Sequence, residues 1–414
     1  MTAPIDSGKT AERAPWLTIV GIGEDGMEGL SRDALAAVEA ADVLVGGDRH
    51  LAKVGTTGAV KIGWGKDFEA GVEAIRAHEG KRVVVLASGD PMHYGAGATL
   101  ARRFGIAALR VIPTPGAFSL AAARMGWSLP DVACVTVHGR ALERVNLHLA
   151  PGARLIVLSW DGRTPGQLAT LLSARGYAES RLSVFEHMGG TDERCVDGTA
   201  ATWPDTEIAA LNTVCVECVA GAAAKSWSRV PGLPEAAFAH DNMITKREVR
   251  AVTLAMLAPL PGETLWDIGA GSGTVAIEWL RAEPRARAVA IERDESRLAN
   301  IRENAGALGV PELEIVAGAA PEVLKLLEGA PDAVFVGGGV SDPAVLTAVW
   351  DRLKPGGRLV ANAVTLDAHE ALLDFRNRHG GELTRIAVAR SGAVGRLSGM
   401  RPMMEVMQLR TEKS

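Results

Sequence analysis

From residue 17 to about residue 220, short β-branched runs alternate with alanine-rich amphipathic ones. L-T-I-V-G-I-G starts at Leu17, D-A-L-A-A-V-E-A-A at Asp33, V-L-V-G-G at Val43 and R-V-V-V-L-A-S-G-D-P at Arg82. Nearly continuous apolar runs of this length predict strands buried on both faces, and the runs between them predict covering helices. That alternation is the mark of a parallel α/β sheet. I-P-T-P-G, starting at Ile112, interrupts it with two prolines and a glycine, and further strands follow at A-C-V-T-V-H (from Ala133) and R-L-I-V-L-S-W (from Arg154). Two lobes joined near Thr114 are expected.

The periodicity breaks again over residues 221–240, where prolines, glycines and small residues read as a linker. Beyond it the pattern predicts a helix over 245–258, the strand T-L-W-D-I-G from Thr264 and a helix over 274–281. Strands follow at A-V-A-I-E from Ala288, E-L-E-I-V-A-G from Glu312, D-A-V-F-V-G-G from Asp332 and R-L-V-A-N-A-V from Arg358. This is one doubly wound α/β, Rossmann-like unit. The expected organisation is therefore a two-lobed α/β domain over 1–220, a linker over 221–240 and a second α/β domain over 241–414.

Composition narrows the function classes. The chain has 414 residues, 44 Lys plus Arg against 49 Asp plus Glu, so a formal net charge of −5 offers no basic field for a nucleic-acid backbone. Hydrophobic residues at 47% and charged residues at 22% are ordinary globular usage. Residues 1–16 contain no apolar h-region and no segment runs 18 apolar residues, so neither secretion nor a membrane span is expected. Four cysteines, Cys134, Cys195, Cys215 and Cys218, are too few for a disulfide scaffold, and a cytoplasmic protein is expected. The C-x-x-C at Cys215 lies in an apolar run that reads as a buried strand, and no metal site is expected there.

Chemistry concentrates in glycine loops. D-I-G-A-G-S-G (267–273) sits between a strand and a helix, where glycine lets the chain turn tightly and a ligand approach the helix N-terminus. Glu292 follows 25 positions after Asp267, at the end of the next strand, where a carboxylate can accept two ribose hydroxyls. An acidic residue opening the loop would repel a pyrophosphate, and a cationic nucleoside such as S-adenosylmethionine fits better. In the first domain, Gly21, Gly23 and Gly26 could form a dinucleotide loop, but Glu24, Asp25 and Glu28 crowd it with negative charge.

From about Thr245 to Met407 the sequence resembles the class I methyltransferases. M-I-T-K-R-E-V-R (243–250), G-A-A-P-E (318–322) and the glycines Gly337 to Gly339 are similar to the decarboxylating precorrin methylases of cobalamin synthesis. That resemblance implies that Thr245, Gly269, Ala270, Gly271, Ser272, Gly273, Glu292 and Ala320 contact the cofactor. Alanine stands at position 319, where relatives often carry aspartate. From Leu17 to Val219, A-D-V-L-V-G-G-D-R-H (41–50), S-G-D-P-M-H-Y-G (88–95) and I-P-T-P-G-A-F-S (112–119) resemble the tetrapyrrole methylase family, the class III methyltransferases. There the resemblance implies a cofactor folded between two lobes, against Gly89, Asp90, Pro91, Met92, Thr114 and Pro115.

The fusion of the two resembles bifunctional methylases that act on carbons 5 and 15 of precorrin-6B and decarboxylate the ring C acetate to give precorrin-8X. The resemblance implies two S-adenosylmethionines per chain, an anionic tetrapyrrole partner and a homo-oligomer, a tetramer through the C-terminal domain. Substrate carboxylates call for local cations, and the candidates are Arg49, His50, His138 and Arg140 in the first domain. In the second they are Lys246, Arg247, Arg250, Arg390 and Arg396. The conjugated ring can itself act as electron sink, so the chemistry asks for no metal or pyridoxal group; no individual catalytic residue is singled out. The rival enzyme reading is an NAD(P)-dependent oxidoreductase with two dinucleotide units, and the non-enzyme rival is a nucleotide-sensing regulator.

Overall fold

The computed structural model describes residues 15–65 and 68–414; most of the segment read for a leader therefore lies outside the described residues. Two compact units are present, Met1–Arg140 with Pro151–Ala224, and Ala141–Ala150 with Lys225–Ser414.

The first lobe of the first unit is a five-stranded parallel sheet of β1 (Leu17–Ile22), β2 (Val43–Gly46), β3 (Val60–Gly63), β4 (Val83–Ser88) and β5 (Leu109–Ile112), ordered β3-β2-β4-β1-β5. Alternate residues of the central strands point to opposite faces. Ile19, Val83 and Val85 join one buried cluster, and Val20, Val84 and Leu86 the other. A sheet apolar on both faces must be covered on both, which accounts for the flanking helices.

The chain leaves this sheet through Pro113 to Gly116 and enters the helix Ala117–Met125. Phe118, Ala121 and Ala122 of that helix pack on Ile156, Phe185 and Cys215 of the second lobe. The lobe junction thus falls where the two prolines interrupt the pattern. The second lobe comprises β6 (Ala133–Thr136), β7 (Arg154–Leu158), β8 (Arg181–Glu186), β9 (Arg194–Thr199) and β10 (Asn212–Glu217), ordered β6-β7-β10-β8-β9. Only β6 and β7 run parallel. A uniformly parallel sheet was expected here; periodicity reports burial of a strand but not its direction.

The second unit holds a seven-stranded sheet: β11 (Thr264–Ile268), β12 (Arg287–Glu292), β13 (Glu314–Ala317), β14 (Ala333–Val336), β15 (Arg358–Ala363), β16 (Glu382–Ile386) and, after a ribbon of β17 (Ala389–Val394) and β18 (Leu397–Pro402), β19 (Val406–Glu412). The order is β13-β12-β11-β14-β15-β19-β16, with β19 antiparallel to both neighbours. Connections diverge on either side of β11 and β14, so the crevice at their carboxyl ends is the natural ligand position.

The linker expected over 221–240 is corrected. Residues 221–224 belong to the first unit, where the Gly221 amide donates to the Gly176 carbonyl at 2.9 Å. Residues 225–240 are part of the second unit: Leu233 and Phe238 are 4% and 6% exposed within its core, and Trp227 packs against the same cluster. The prolines and glycines break periodicity, yet the apolar side chains between them are buried. Leu233→Ala should therefore cost about 2–5 kcal/mol of stability in the second unit, as a buried leucine does. Chemical denaturation checks this; a tether would lose nothing.

Candidate functional sites

In the second unit the loop after β11 turns on three glycines with φ of 67°, 59° and 75° at Gly269, Gly271 and Gly273. Each value lies in the left-handed region that glycine alone enters cheaply. A Cβ on Gly269 would lie 2.9 Å from Gly338 Cα, so the loops after β11 and β14 touch through bare backbone. At Gly271 a Cβ would meet only the Met243 carbonyl, 3.7 Å away, so the space above this residue is open. The Gly271 amide donates to Glu292 Oε2 at 2.8 Å, and Glu292 Oε1 accepts from Arg293 and Asp294 at 2.9 and 3.0 Å. Glu292 thus fixes the loop as well as closing the edge of the crevice. The Gly318 amide donates to the Glu292 carbonyl at 2.9 Å, bringing the turn that holds Ala320 to the same end of the sheet. Ala270 is half-buried against the core, and Ser272 is buried with no partner for its hydroxyl.

The segment entering the next helix, Arg247–Leu257, carries Thr245 and the half-buried Lys246 at its start. Arg250 does not face a substrate. It is 0% exposed, its Nε donates to Glu278 Oε1 at 2.7 Å, and its other nitrogens donate to the carbonyls of Thr245 and Leu233. Glu278, 2% exposed, also accepts from the amides of Gly232 and Leu233 at 2.6 and 2.9 Å. Every group of this ion pair is spent on holding the Gly-Pro segment and the start of the helix, so the assignment of Arg250 to substrate is corrected. Arg390 is likewise engaged, bridging Glu235 and Glu248. The signal that could have revealed Glu278 was a single carboxylate inside the apolar helical run T-V-A-I-E-W-L.

In the first unit, three loops meet at the carboxyl edge of the sheet. The Gly89 amide donates to the Ile22 carbonyl at 3.2 Å, and the Thr114 amide to the Gly89 carbonyl at 3.4 Å. A Cβ on Gly21 would strike the Gly89 carbonyl, and one on Gly89 would lie 2.7 Å from Gly116 Cα. Gly21 is therefore filled by backbone. The chain then makes a short turn over Gly26–Gly29 and starts its helix only at Arg32, unlike a dinucleotide loop that opens directly into a helix. Beside these loops lies a cavity of about 330 Å³ lined by Asp90, His93, Pro113, Thr114, Pro115, Gly116, Phe118 and Ser119. Of the expected cofactor residues, Asp90, Thr114 and Pro115 line it. Gly89 stands behind it, Pro91 is buried under Gly95 and Gly97, and Met92 is exposed outside the lining. His93, Phe118 and Ser119 complete the wall.

The expected cations of this unit divide. His138 and Arg140 are exposed in the turn after β6. Arg49 pairs with Glu24 and donates to Ser88 at 3.1 Å. His50 is corrected as a cation: burial and the adjacent Arg49 charge push it down to about 4, so it is neutral at pH 7. Its Nε2 lies 2.8 Å from the Ser88 hydroxyl.

Two family models match the chain without overlap. "Tetrapyrrole (Corrin/Porphyrin) Methylases" matches residues 16–204 and "Precorrin methyltransferase domain" residues 236–413. A Sinorhizobium protein named precorrin-6Y C(5,15)-methyltransferase [decarboxylating] is 46% identical over 408 residues, 98% of either chain. The chain belongs to that family. A relative of the same name from Mycobacterium tuberculosis is 41% identical, over 95% of this chain and 98% of its own. The crystal structure of the C-terminal domain of precorrin-6Y C5,15-methyltransferase from Rhodobacter capsulatus is 45% identical, covers 45% of this chain and all of its own, and gives a TM-score of 0.43. As a member of the precorrin-6Y C5,15-methyltransferase family the chain is a methyltransferase. Nothing in its relatives supports an oxidoreductase.

Asp267, beneath the second-unit loop, is 1% exposed; one oxygen accepts from the Ala276 amide at 3.1 Å and the other is unpartnered. Burial, opposed by that hydrogen bond and reinforced by the charge of Glu292, raises its pKa to about 7. The folded form therefore keeps a proton that the unfolded chain releases near pH 4, and stability of this unit falls as pH rises from about 4 to about 7. Asp267→Asn should flatten that decline, measured by denaturant unfolding at pH 5 and pH 7.5. An unchanged slope would mean that Asp267 is ionised throughout.

Proposed function

We propose that the chain methylates carbons 5 and 15 of precorrin-6B and decarboxylates its ring C acetate, forming precorrin-8X, carbon dioxide and two S-adenosylhomocysteines. The observation that carries this reading is the presence of two glycine-built clefts in separate compact units, each unit matched by its own methyltransferase family model. In this reading the first unit acts on carbon 5, and the second acts on carbon 15 and releases carbon dioxide.

The residues present suit one S-adenosylmethionine in each unit. In the second, the open space above Gly271, the unpartnered Ser272 hydroxyl and the carboxylate of Glu292 offer room and polar contacts for a nucleoside. Glu292 uses three acceptor positions on backbone amides and retains capacity for ribose hydroxyls. Ala320 lies in the turn tied to the same end of the sheet through Gly318, and Thr245 completes the proposed set. In the first, the cavity beside Asp90, Thr114 and Pro115 is the candidate seat. S-adenosylmethionine supplies, when bound, a methyl group on a cationic sulfur. The protein's part is to seat the electron-rich ring carbon in line with that methyl and to keep water out; such alignment can lower a barrier by about 7–11 kcal/mol. His138, Arg140 and Lys246, with the exposed Arg247 and Arg396, remain as groups to receive substrate carboxylates.

The same reading includes a cytoplasmic location and a homo-oligomer, a tetramer through the second unit. Among the described residues no helix is long and apolar enough to cross a membrane. Val394, Leu397, Met400 and Met404, on and beside the β17–β18 ribbon, are all more than half exposed, which supports contact with another copy.

Mass spectrometry of precorrin-6B incubated with protein and S-adenosylmethionine should show two methyl groups gained and one carbon dioxide lost. An unaltered tetrapyrrole would overturn the assignment. Calorimetric titration with S-adenosylhomocysteine should give two sites per chain. Gly271→Val should leave one, because a branched side chain would both strain a backbone at φ 59° and occupy the open space; a single site in the unaltered protein would remove one of the two proposed seats.

A further inference from the structure

A cluster of rings stands beside the cavity of the first unit. His93 and Phe118, both in the cavity wall, stack at 4.9 Å with a 30° interplanar angle. Tyr94 also stacks on His93, at 5.0 Å and 25°, and its ring lies 6.0 Å from that of Phe118 at a tilt of 55°, yet Tyr94 remains 54% exposed. Its φ of 57° is left-handed, a conformation that costs a bulky residue free energy and persists where surroundings impose it. The Arg140 guanidinium, from the turn after β6, lies 5.7 Å from the Tyr94 ring centroid. Two residues earlier in the same turn, His138 stacks on Trp160 at 5.5 Å and 28°, and Trp160 is 56% exposed. Gly139 between them has φ of 69°, and its Cβ would lie 3.6 Å from the Trp160 ring. Both lobes thus contribute, the first His93 and Tyr94, the second His138, Arg140 and Trp160.

Large aromatic faces left in water forgo burial that would stabilise the fold, and a strained tyrosine adds to that cost. An exposed π-face beside a guanidinium recognises one chemistry well: a conjugated ring lies against the aromatic face while its rim carboxylates meet the cation.

We propose that Tyr94 and Trp160, together with Arg140, form a platform that receives the flat face of a polycarboxylate macrocycle at the mouth of the first-unit cavity. The proposal deepens the functional reading above and rests on it for the identity of the macrocycle. Tyr94 and Trp160 are binding residues that set which ring is accepted, and Arg140 takes a rim carboxylate. Charge supports this occupant over a neutral one, because Arg49 is already paired with Glu24 and His50 is neutral, leaving Arg140 as the exposed guanidinium of this turn.

The test uses the full chain and uroporphyrin, a conjugated octacarboxylate macrocycle, followed by absorbance titration, with calorimetric S-adenosylhomocysteine titration in parallel. Tyr94→Ala and Trp160→Ala should each weaken uroporphyrin binding about three- to tenfold, the worth of one aromatic pair. Tyr94→Phe, which keeps the ring, should restore it, and Arg140→Gln should weaken binding of uroporphyrin more than that of its octamethyl ester. S-adenosylhomocysteine binding should be unchanged in all four variants, which also shows that they fold. Absence of uroporphyrin binding by the unaltered protein, or binding unmoved by both alanine variants, would overturn the platform. Product formation from precorrin-6B by the unaltered protein tests the underlying reading separately.

Discussion

Close approach of backbone to backbone at the carboxyl ends of parallel strands is the constraint on which both sites depend. A parallel sheet sends the loop that follows each strand out at one edge, so loops from non-adjacent parts of the sequence meet there. At Gly21 and Gly89 in the first unit, and at Gly269 in the second, they meet with no room for a Cβ. Amides and carbonyls then form the floor of each cleft, as in the hydrogen bonds from Gly89 to Ile22 and from Gly337 to Ile268. A floor of backbone is rigid and presents polar groups without side-chain entropy to lose. The two units solve this with different sheets, which is why a single glycine fingerprint does not describe both.

Charge follows a second economy. The chain is formally negative, and several of its arginines are consumed inside the fold. Arg250 holds the carbonyls of Leu233 and Thr245, Arg281 those of Trp227 and Leu308, and Arg358 those of Leu257 and Ala258. A planar guanidinium with five donors suits such work, because one side chain can satisfy several orphaned carbonyls at once. Removing either partner of the Arg250–Glu278 pair would leave a buried charge uncompensated. An arginine in a motif is therefore as readily a fastener as a substrate ligand, and burial decides between them.

What was legible in the sequence was whatever depends on local pattern. The strands at Leu17, Val83, Thr264 and Ala288, the lobe junction at the two prolines and the glycine loop with Glu292 after it all follow from residue type and spacing. What was not legible depends on partners distant in the chain. Strand direction in β8 to β10 is fixed by pairing, the burial of residues 225–240 by a core built from residues 254–360, and the neutrality of His50 by its depth beside Arg49. Pro91 and Met92 illustrate the same limit at finer grain. They follow Asp90 directly, but of these three only Asp90 reaches the cavity, because the turn buries one neighbour and exposes the other.

These features fit the demands of methyl transfer to carbon. A nucleophilic oxygen or sulfur must usually be deprotonated as it attacks, which calls for a base with a matched pKa at the reacting atom. An electron-rich ring carbon brings its own nucleophilic electron pair, and the proton is lost after the new carbon–carbon bond has formed. The demanding step is then alignment rather than activation, and alignment is what rigid backbone floors and flat aromatic walls provide. The left-handed backbone of Tyr94 and the left-handed glycines of the second-unit loop are consistent with this division of labour: conformational free energy is spent on shape at the point of contact, while buried ion pairs such as Arg250–Glu278 are spent on holding that shape in place.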